Sequence, residues 1–274
     1  MIEITLEEMK SNSNDFKTKF TQALGDGFFY IEIPETLKNN IPEVVQYTNT
    51  LRNNESLKAA QLGARLGYQE KPETQVASFS ALGSDQWNEV FPPNIIEVSL
   101  KMHGLALDVL KTTLTHLNIS EDVWSTVTGN ITDGGGSNVF SLNHFKPGIQ
   151  KLGLIPHKDM GWITIIFTEK AGLETSLDGK EWAPIPVREG FFVVNFGRVF
   201  EILINSRNKL IASLHRVNRL TEERVSFGIF LNHAKGTFIH QFDHDQQKLI
   251  CKGTYEEYLA SCFKEFDDSR KELA

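Results

Sequence analysis

Three side chains stand at spacings that suit metal chemistry. His157-Lys158-Asp159 places an imidazole and a carboxylate two positions apart. In an extended strand, residues two apart face the same way, so both groups would converge on one point. His215, in Leu214-His215-Arg216-Val217, opens another strand-like run and supplies a third donor if the fold joins the two runs. Two imidazoles and one carboxylate leave coordination positions open, as non-haem iron(II) oxygen chemistry requires. Taken alone, a His-x-Asp pair is weak evidence, because solvated or core histidines are common.

The next element strengthens the reading. Arg224-Val225-Ser226 follows His215 closely, and Arg224 and Ser226 again share one strand face. A guanidinium offers a rigid fork for a carboxylate, and a hydroxyl beside it adds a donor. An arginine turned into a barrel interior is costly without an anionic partner. The competing reading is a surface arginine on an edge strand.

Other stretches carry ligand-type residues without a matching context. His240-Gln241-Phe242-Asp243-His244-Asp245 reads as a polar, solvated loop beyond the β core. His103 and His116 fall on a long helix, where a lone histidine is usually structural. Asp133-Gly134-Gly135-Gly136 lacks the lysine and the following helix of a phosphate-binding loop.

The elements that must position these groups follow from periodicity. Phe16, Phe20, Ala23 and Leu24 repeat at helical spacing, Gly25-Asp26-Gly27 ends that helix, and Phe28 to Ile33 is strand-like up to Pro34. A second helix follows Pro92-Pro93, with Asn94 as N-cap and Glu97 completing a capping box. Its face of Ile95, Val98, Met102, Leu105, Val109 and Leu117 reads as core. From Trp124 to about Leu231 the texture becomes short β-rich runs, such as Gly161 to Phe167, Phe191 to Phe196 and Val225 to Leu231. Many short strands between turn signals suggest a barrel or double-sheet sandwich. Thr254 and Glu257 frame a final helix with Tyr258, Cys262 and Phe266 on one side. The expected plan is one α+β domain over residues 1–274. It has an α-rich part to about 120, a β core over about 121–235 and a helical tail over about 250–274.

Bulk properties bound the partners. The 274 residues include 40% hydrophobic and 23% charged ones, an ordinary globular balance. The formal net charge of -7 disfavours nucleic acid. The two cysteines, Cys251 and Cys262, cannot make a disulfide framework and suit a reducing, cytoplasmic setting. No apolar run approaches the roughly 20 residues of a spanning helix, and no targeting segment is visible at the start. The expectation is a soluble protein acting on a small molecule, with neither nucleic acid nor membrane as partner.

The order His-x-Asp, His-Arg-Val, Arg-x-Ser resembles the isopenicillin N synthase-like family of iron(II)/2-oxoglutarate-dependent oxygenases. Gly27-Phe28-Phe29-Tyr30, Asn143-His144-Phe145-Lys146-Pro147, Gly172-Leu173-Glu174, Asp178 to Trp182 and Val193-Val194-Asn195-Phe196-Gly197 are also similar to it. The likeness runs from about Phe16 to Leu259 and is dense from Asn143 to Leu231. It implies a double-stranded β-helix, or jelly roll, with iron(II) held by His157, Asp159 and His215. It implies 2-oxoglutarate as cosubstrate, its distal carboxylate on Arg224 and Ser226, with Asn143 in contact, and O2 as oxidant. The implied outcome is hydroxylation of an unactivated C–H bond of a small molecule in natural-product or amino-acid metabolism. Desaturation, cyclisation or a 2-oxoglutarate-independent oxidation on the same iron stays open, as does a non-catalytic β-barrel binder. Asp159 disfavours a halogenase, whose metal lacks that carboxylate.

Two departures and one anchor complete the reading. Phe145 stands where many relatives have a tyrosine that helps bind the cosubstrate, and it is a candidate for substrate contact. Lys158 should point away from the metal by strand alternation. In Arg65-Leu66-Gly67-Tyr68, Arg65 resembles an arginine that reaches a substrate carboxylate in some small-substrate relatives, so the substrate is expected to carry an anionic group.

Overall fold

The protein is seen in a computed structural model that describes residues 1–70, 72–148, 151–204 and 210–273. The strands, in chain order, are β1 (Glu3–Ile4), β2 (Phe28–Glu32), β3 (Gly67–Glu70), β4 (Val76–Leu82), β5 (Val139–Phe145), β6 (Leu154–His157) and β7 (Ile163–Thr168). They continue with β8 (Leu173–Ser176), β9 (Ala183–Pro184), β10 (Phe191–Phe196), β11 (Leu214–Val217), β12 (Arg224–Phe230), β13 (Phe238–Asp243) and β14 (Lys248–Thr254).

Alternation along the strands builds two cores. The large sheet runs β1-β2-β10-β7-β12-β5-β4-β3, and the small one runs β6-β11-β8-β9. On the outer face of the large sheet, Phe192, Val194 and Phe196 of β10, Ile163 and Ile165 of β7, and Phe227 and Ile229 of β12 are buried. They lie against Phe16, Phe20, Val98, Met102 and Val109 of the helices Asn14–Asp26 and Pro93–His116. Residues one step out of phase point the other way. Phe28, Tyr30, Val76, Phe145 and Val193 meet Leu173 and Val217 of the small sheet in a second core between the sheets. Two facing sheets with crossed connections make the jelly roll that the sequence resemblance implies.

The helix Asn14–Asp26 closes at Gly27, whose φ of 77° is left-handed. A Cβ there would stand 2.6 Å from the Ile211 carbonyl oxygen, so both conformation and space require glycine. The chain then enters β2 directly, as expected. The C-terminal helix Tyr255–Leu273 starts from the Thr254–Glu257 capping box, in which Glu257 N donates to Thr254 Oγ1 at 3.2 Å and Thr254 N to Glu257 Oε2 at 3.0 Å.

Four expectations are corrected. Asn94 is not an N-cap: Pro92 holds that position, because Pro93 is preorganised for the first helical turn, and Asn94 instead donates to Glu43 at 2.9 Å. The β texture begins at Val139 rather than Trp124, since Trp124–Thr128 is a short helix with Trp124 Nε1 bonded to the Ile119 carbonyl. The α-rich N-terminal part also contributes strands to the large sheet: β2, which the sequence shows as a strand, and β4, whose alternating burial the sequence reading passed over. His240 to Asp243 belong to β13, and the tail before Tyr255 is its partner β14, so this stretch is a hairpin rather than a solvated loop.

Candidate metal centre

β6 and β11 are antiparallel neighbours with His157 directly opposite His215. This register brings the two rings to a centroid distance of 4.3 Å. Each Nδ1 lies 2.9 Å from a backbone carbonyl two residues earlier, that of Ile155 and of Ser213. A carbonyl can only accept, so Nδ1 carries the proton and each Nε2 presents a lone pair. Both Nε2 atoms face Asp159 Oδ1, at 3.9 Å from His157 and 3.7 Å from His215. All three ligand atoms lie within 4.8 Å of one another. Among the described residues no second group of three such side chains comes together.

Asp159 reaches this point by a route different from strand alternation. β6 ends at His157, and Asp159 lies in the following loop. Its carbonyl accepts from Arg198 N at 2.9 Å, which ties the loop to the end of β10. Lys158 does turn away, pairing with Glu201 at 2.8 Å.

Burial prepares the donors. Asp159 and His215 are buried. Burial is the main force holding the His157 imidazole down to about 4, with the His215 ring adding to it and Asp159 and the Ile155 hydrogen bond opposing. A neutral imidazole at ordinary pH is a metal ligand. Metal–nitrogen and metal–oxygen bonds are about 2.0–2.2 Å, so the Asp159 oxygen and either imidazole nitrogen, 3.7–3.9 Å apart, stand at a separation that one ion can bridge. The donor set of two imidazoles and a carboxylate suits iron(II) with open positions.

The same cavity holds the second constellation. His157, Asp159, His215, Asn143, Arg224 and Ser226 all line it. Arg224 and Ser226 lie on one face of β12, buried, with Asn143 of β5 directly opposite Ser226. Arg224 Nε donates to the Lys170 carbonyl at 3.0 Å and Nη2 to Thr168 Oγ1 at 2.5 Å. Its Nη1 is buried with no partner. Burial lowers the guanidinium to about 10, against the pull of Glu169. A buried cation with one unused N–H in the cavity of the triad has the charge and donor geometry that suit a carboxylate.

The two remaining sequence candidates, Phe145 and Arg65, are placed differently from each other. Phe145 lines the same cavity, and its ring lies under the Arg224 guanidinium, centroid to Cζ 4.8 Å. Arg65 does not line this cavity: it pairs with Asp267, Nη2 to Oδ2 2.5 Å, and stacks on Phe263 at 4.2 Å. Arg65 is thus bound to the C-terminal helix, because that helix folds back over the small sheet, which no local spacing reveals. The same helix places Phe266 edge-on against His157 at 5.8 Å and bonds Tyr258 Oη to the Met160 carbonyl at 2.7 Å. Sequence reading missed Thr168, which orients Arg224, and the contact of Phe266 with the triad. Only the apolar side formed by Tyr258, Cys262 and Phe266 hinted at the latter.

Comparisons with known proteins agree with this geometry. The sequence pattern of the 2OG-Fe(II) oxygenase superfamily matches residues 136–233, a span that includes the triad, Asn143, Arg224 and Ser226. Scopoletin 8-hydroxylase of Arabidopsis thaliana is 27% identical over 195 residues, 67% of this chain and 53% of that protein. The chain thus spans about half the length of that relative. The rice dioxygenase for auxin oxidation superposes with a TM-score of 0.76 at 19% identity, covering 97% of this chain and 95% of that one. A structure of JOX2 in complex with 2OG, Fe and JA superposes with a TM-score of 0.77 at 19% identity, covering 95% and 84%. The part of the chain that is similar to the 2OG-Fe(II) oxygenase superfamily is thus the part whose residues meet in the cavity.

Proposed function

We propose that the protein is an iron(II)- and 2-oxoglutarate-dependent oxygenase that hydroxylates an unactivated C–H bond of a small molecule. The observation that carries this reading is the shared cavity: a clustered His157–Asp159–His215 triad and a buried Arg224 with a free N–H face one enclosed space. When bound, iron(II) supplies oxygen activation, with 2-oxoglutarate decarboxylated to succinate and one oxygen atom transferred to the substrate.

The chain's own residues then have defined tasks. His157 and His215 offer Nε2 because the carbonyls of Ile155 and Ser213 hold their Nδ1 protons. Asp159 supplies the charge that a divalent ion needs in a buried place. Arg224, oriented by Thr168 and Lys170 and backed by Phe145, takes the distal carboxylate of 2-oxoglutarate through Nη1, with the Ser226 hydroxyl beside it. Asn143, opposite Ser226, lines the wall along the cosubstrate. Phe266 and the C-terminal helix shield the His157 side from water, which protects the oxidising step.

The relatives named scopoletin 8-hydroxylase and gibberellin 3-beta-dioxygenase support a small organic substrate. We place the reaction in natural-product or amino-acid metabolism and in the cytoplasm, where free thiols such as Cys251 and Cys262 persist and iron stays ferrous. No described helix is long and apolar enough to cross a membrane. The decisive experiment mixes the protein with iron(II), 2-oxoglutarate, oxygen and a pool of candidate metabolites, then measures succinate and product mass. Succinate formation that needs iron is expected; its absence in all pools, with iron and 2-oxoglutarate shown to be bound, would overturn the reading.

A further inference from the structure

Asn195 is fully buried on β10, and neither its Nδ2 nor its Oδ1 has a hydrogen-bond partner. A buried amide left wholly unpaired is destabilising, so it calls for a function. Directly opposed residues in antiparallel strands share a face. Asn195 opposes Phe28 on one side and Thr164 on the other, and Thr164 in turn opposes Phe230. Phe28 belongs to the core between the sheets, and Phe230 lines the cavity of the triad. Asn195 therefore faces the interior that holds the metal centre.

The end of β10 is pinned to the segment carrying Asp159. Gly197 N donates to the Trp162 carbonyl at 2.8 Å, and Arg198 N to the Asp159 carbonyl at 2.9 Å. A Cβ on Gly197 would stand 2.0 Å from the Gly161 carbonyl oxygen, so only glycine lets the two segments approach this closely. Asp159 uses Oδ1 toward both imidazoles, and its Oδ2 is buried without a partner. One interior thus contains an unused amide donor and an unused carboxylate acceptor on segments bonded to each other.

We infer that Asn195 is a positioning residue of the metal centre, its Nδ2 donating to Asp159 Oδ2 once an ion draws on Oδ1. This rests on the metal site proposed above. The hydrogen bond would hold the carboxylate to one-oxygen coordination and keep the remaining positions open. Hydrogen bonds to metal-bound carboxylates are a general means of orienting them.

The test titrates metal-free protein with Mn(II) and records its melting temperature. Wild type should bind one ion, and His157→Ala should not; failure of this pair would refute the site itself. Asn195→Leu, which is similar in shape, should weaken Mn(II) binding about 10- to 100-fold. Its metal-free melting temperature should stay level or rise, because an apolar group replaces an unpaired polar one. Asn195→Ala should show the same loss of affinity and decides the matter if the leucine variant does not fold. The visible spectrum of the Co(II)-loaded variants should also shift as the carboxylate turns. Wild-type Mn(II) affinity in both variants would overturn the inference while leaving the metal site intact. A large fall in the metal-free melting temperature of both would make Asn195 a framework residue and overturn it as well.

Discussion

His157 and His215 are register partners across β6 and β11, and each fixes its Nδ1 on the carbonyl two residues before it. The symmetry has a simple origin. Both histidines repeat the same strand-local hydrogen bond, and the antiparallel register turns two local arrangements into one pair of converging Nε2 atoms. Asp159 then closes the set from a loop rather than from a strand.

The first expectation concerns this set. His157→Ala, Asp159→Ala and His215→Ala should each weaken binding of a divalent ion by more than about 100-fold, since second-sphere losses alone reach that size. Far-ultraviolet circular dichroism should stay unchanged. Stoichiometric iron in all three variants by plasma emission would remove the assignment.

Arg224 yields a cosubstrate prediction. Arg224→Ala should raise the apparent constant for 2-oxoglutarate far more than that for substrate, by the equivalent of about 2–5 kcal/mol. In wild type, 2-oxoglutarate with a divalent ion should raise the melting temperature. In Arg224→Met that rise should vanish, while the ligand-free protein is at least as stable, because a desolvated charge with a free N–H has gone. An equal thermal shift in both proteins would contradict the role.

A pH dependence follows from His233. Its ring is fully buried, stacked between Trp162 and Tyr255 at 5.6 and 5.1 Å. Burial lowers it to about 3, with His240 adding to the effect. The unfolded chain takes up the proton near pH 6.5 and the folded one does not. The stability due to the neutral ring is therefore complete above about pH 6.5 and is lost as the pH falls from there toward 3. Between pH 7 and pH 5, wild type should lose about 2 kcal/mol more than His233→Phe in urea titrations. Parallel losses in the two proteins would show that His233 does not carry the effect.

Arg65 gives a prediction about the C-terminal helix. Arg65→Ala should speed hydrogen exchange in the helix Tyr255–Leu273, since the Asp267 pair and the Phe263 stack both go. The pair is partly exposed, so global stability should fall by no more than about 1 kcal/mol. Asp267→Ala should reproduce the exchange effect, and the double variant should add little. Unchanged exchange together with a raised KM for anionic substrates would restore Arg65 as a substrate anchor.

The sequence by itself determined the chemistry that this protein can assemble. His157, Asp159 and His215 are metal-donor types readable from the chain alone, and Arg224 and Ser226 share one strand face because period-two alternation is a local property. The helix Pro93–His116 and the capping box at Thr254 were legible for the same reason: caps and apolar stripes act over a few residues. Only the tertiary structure decided which distant segments meet. β2 and β4 belong to the main sheet, Arg65 faces Asp267, and Phe266 covers His157. These contacts join segments far apart in the chain, and no spacing within either segment encodes them. Asn195 shows the same limit most clearly: it was visible as one residue of a β run, but its unpaired amide beside Asp159's segment exists only once the strands are in register.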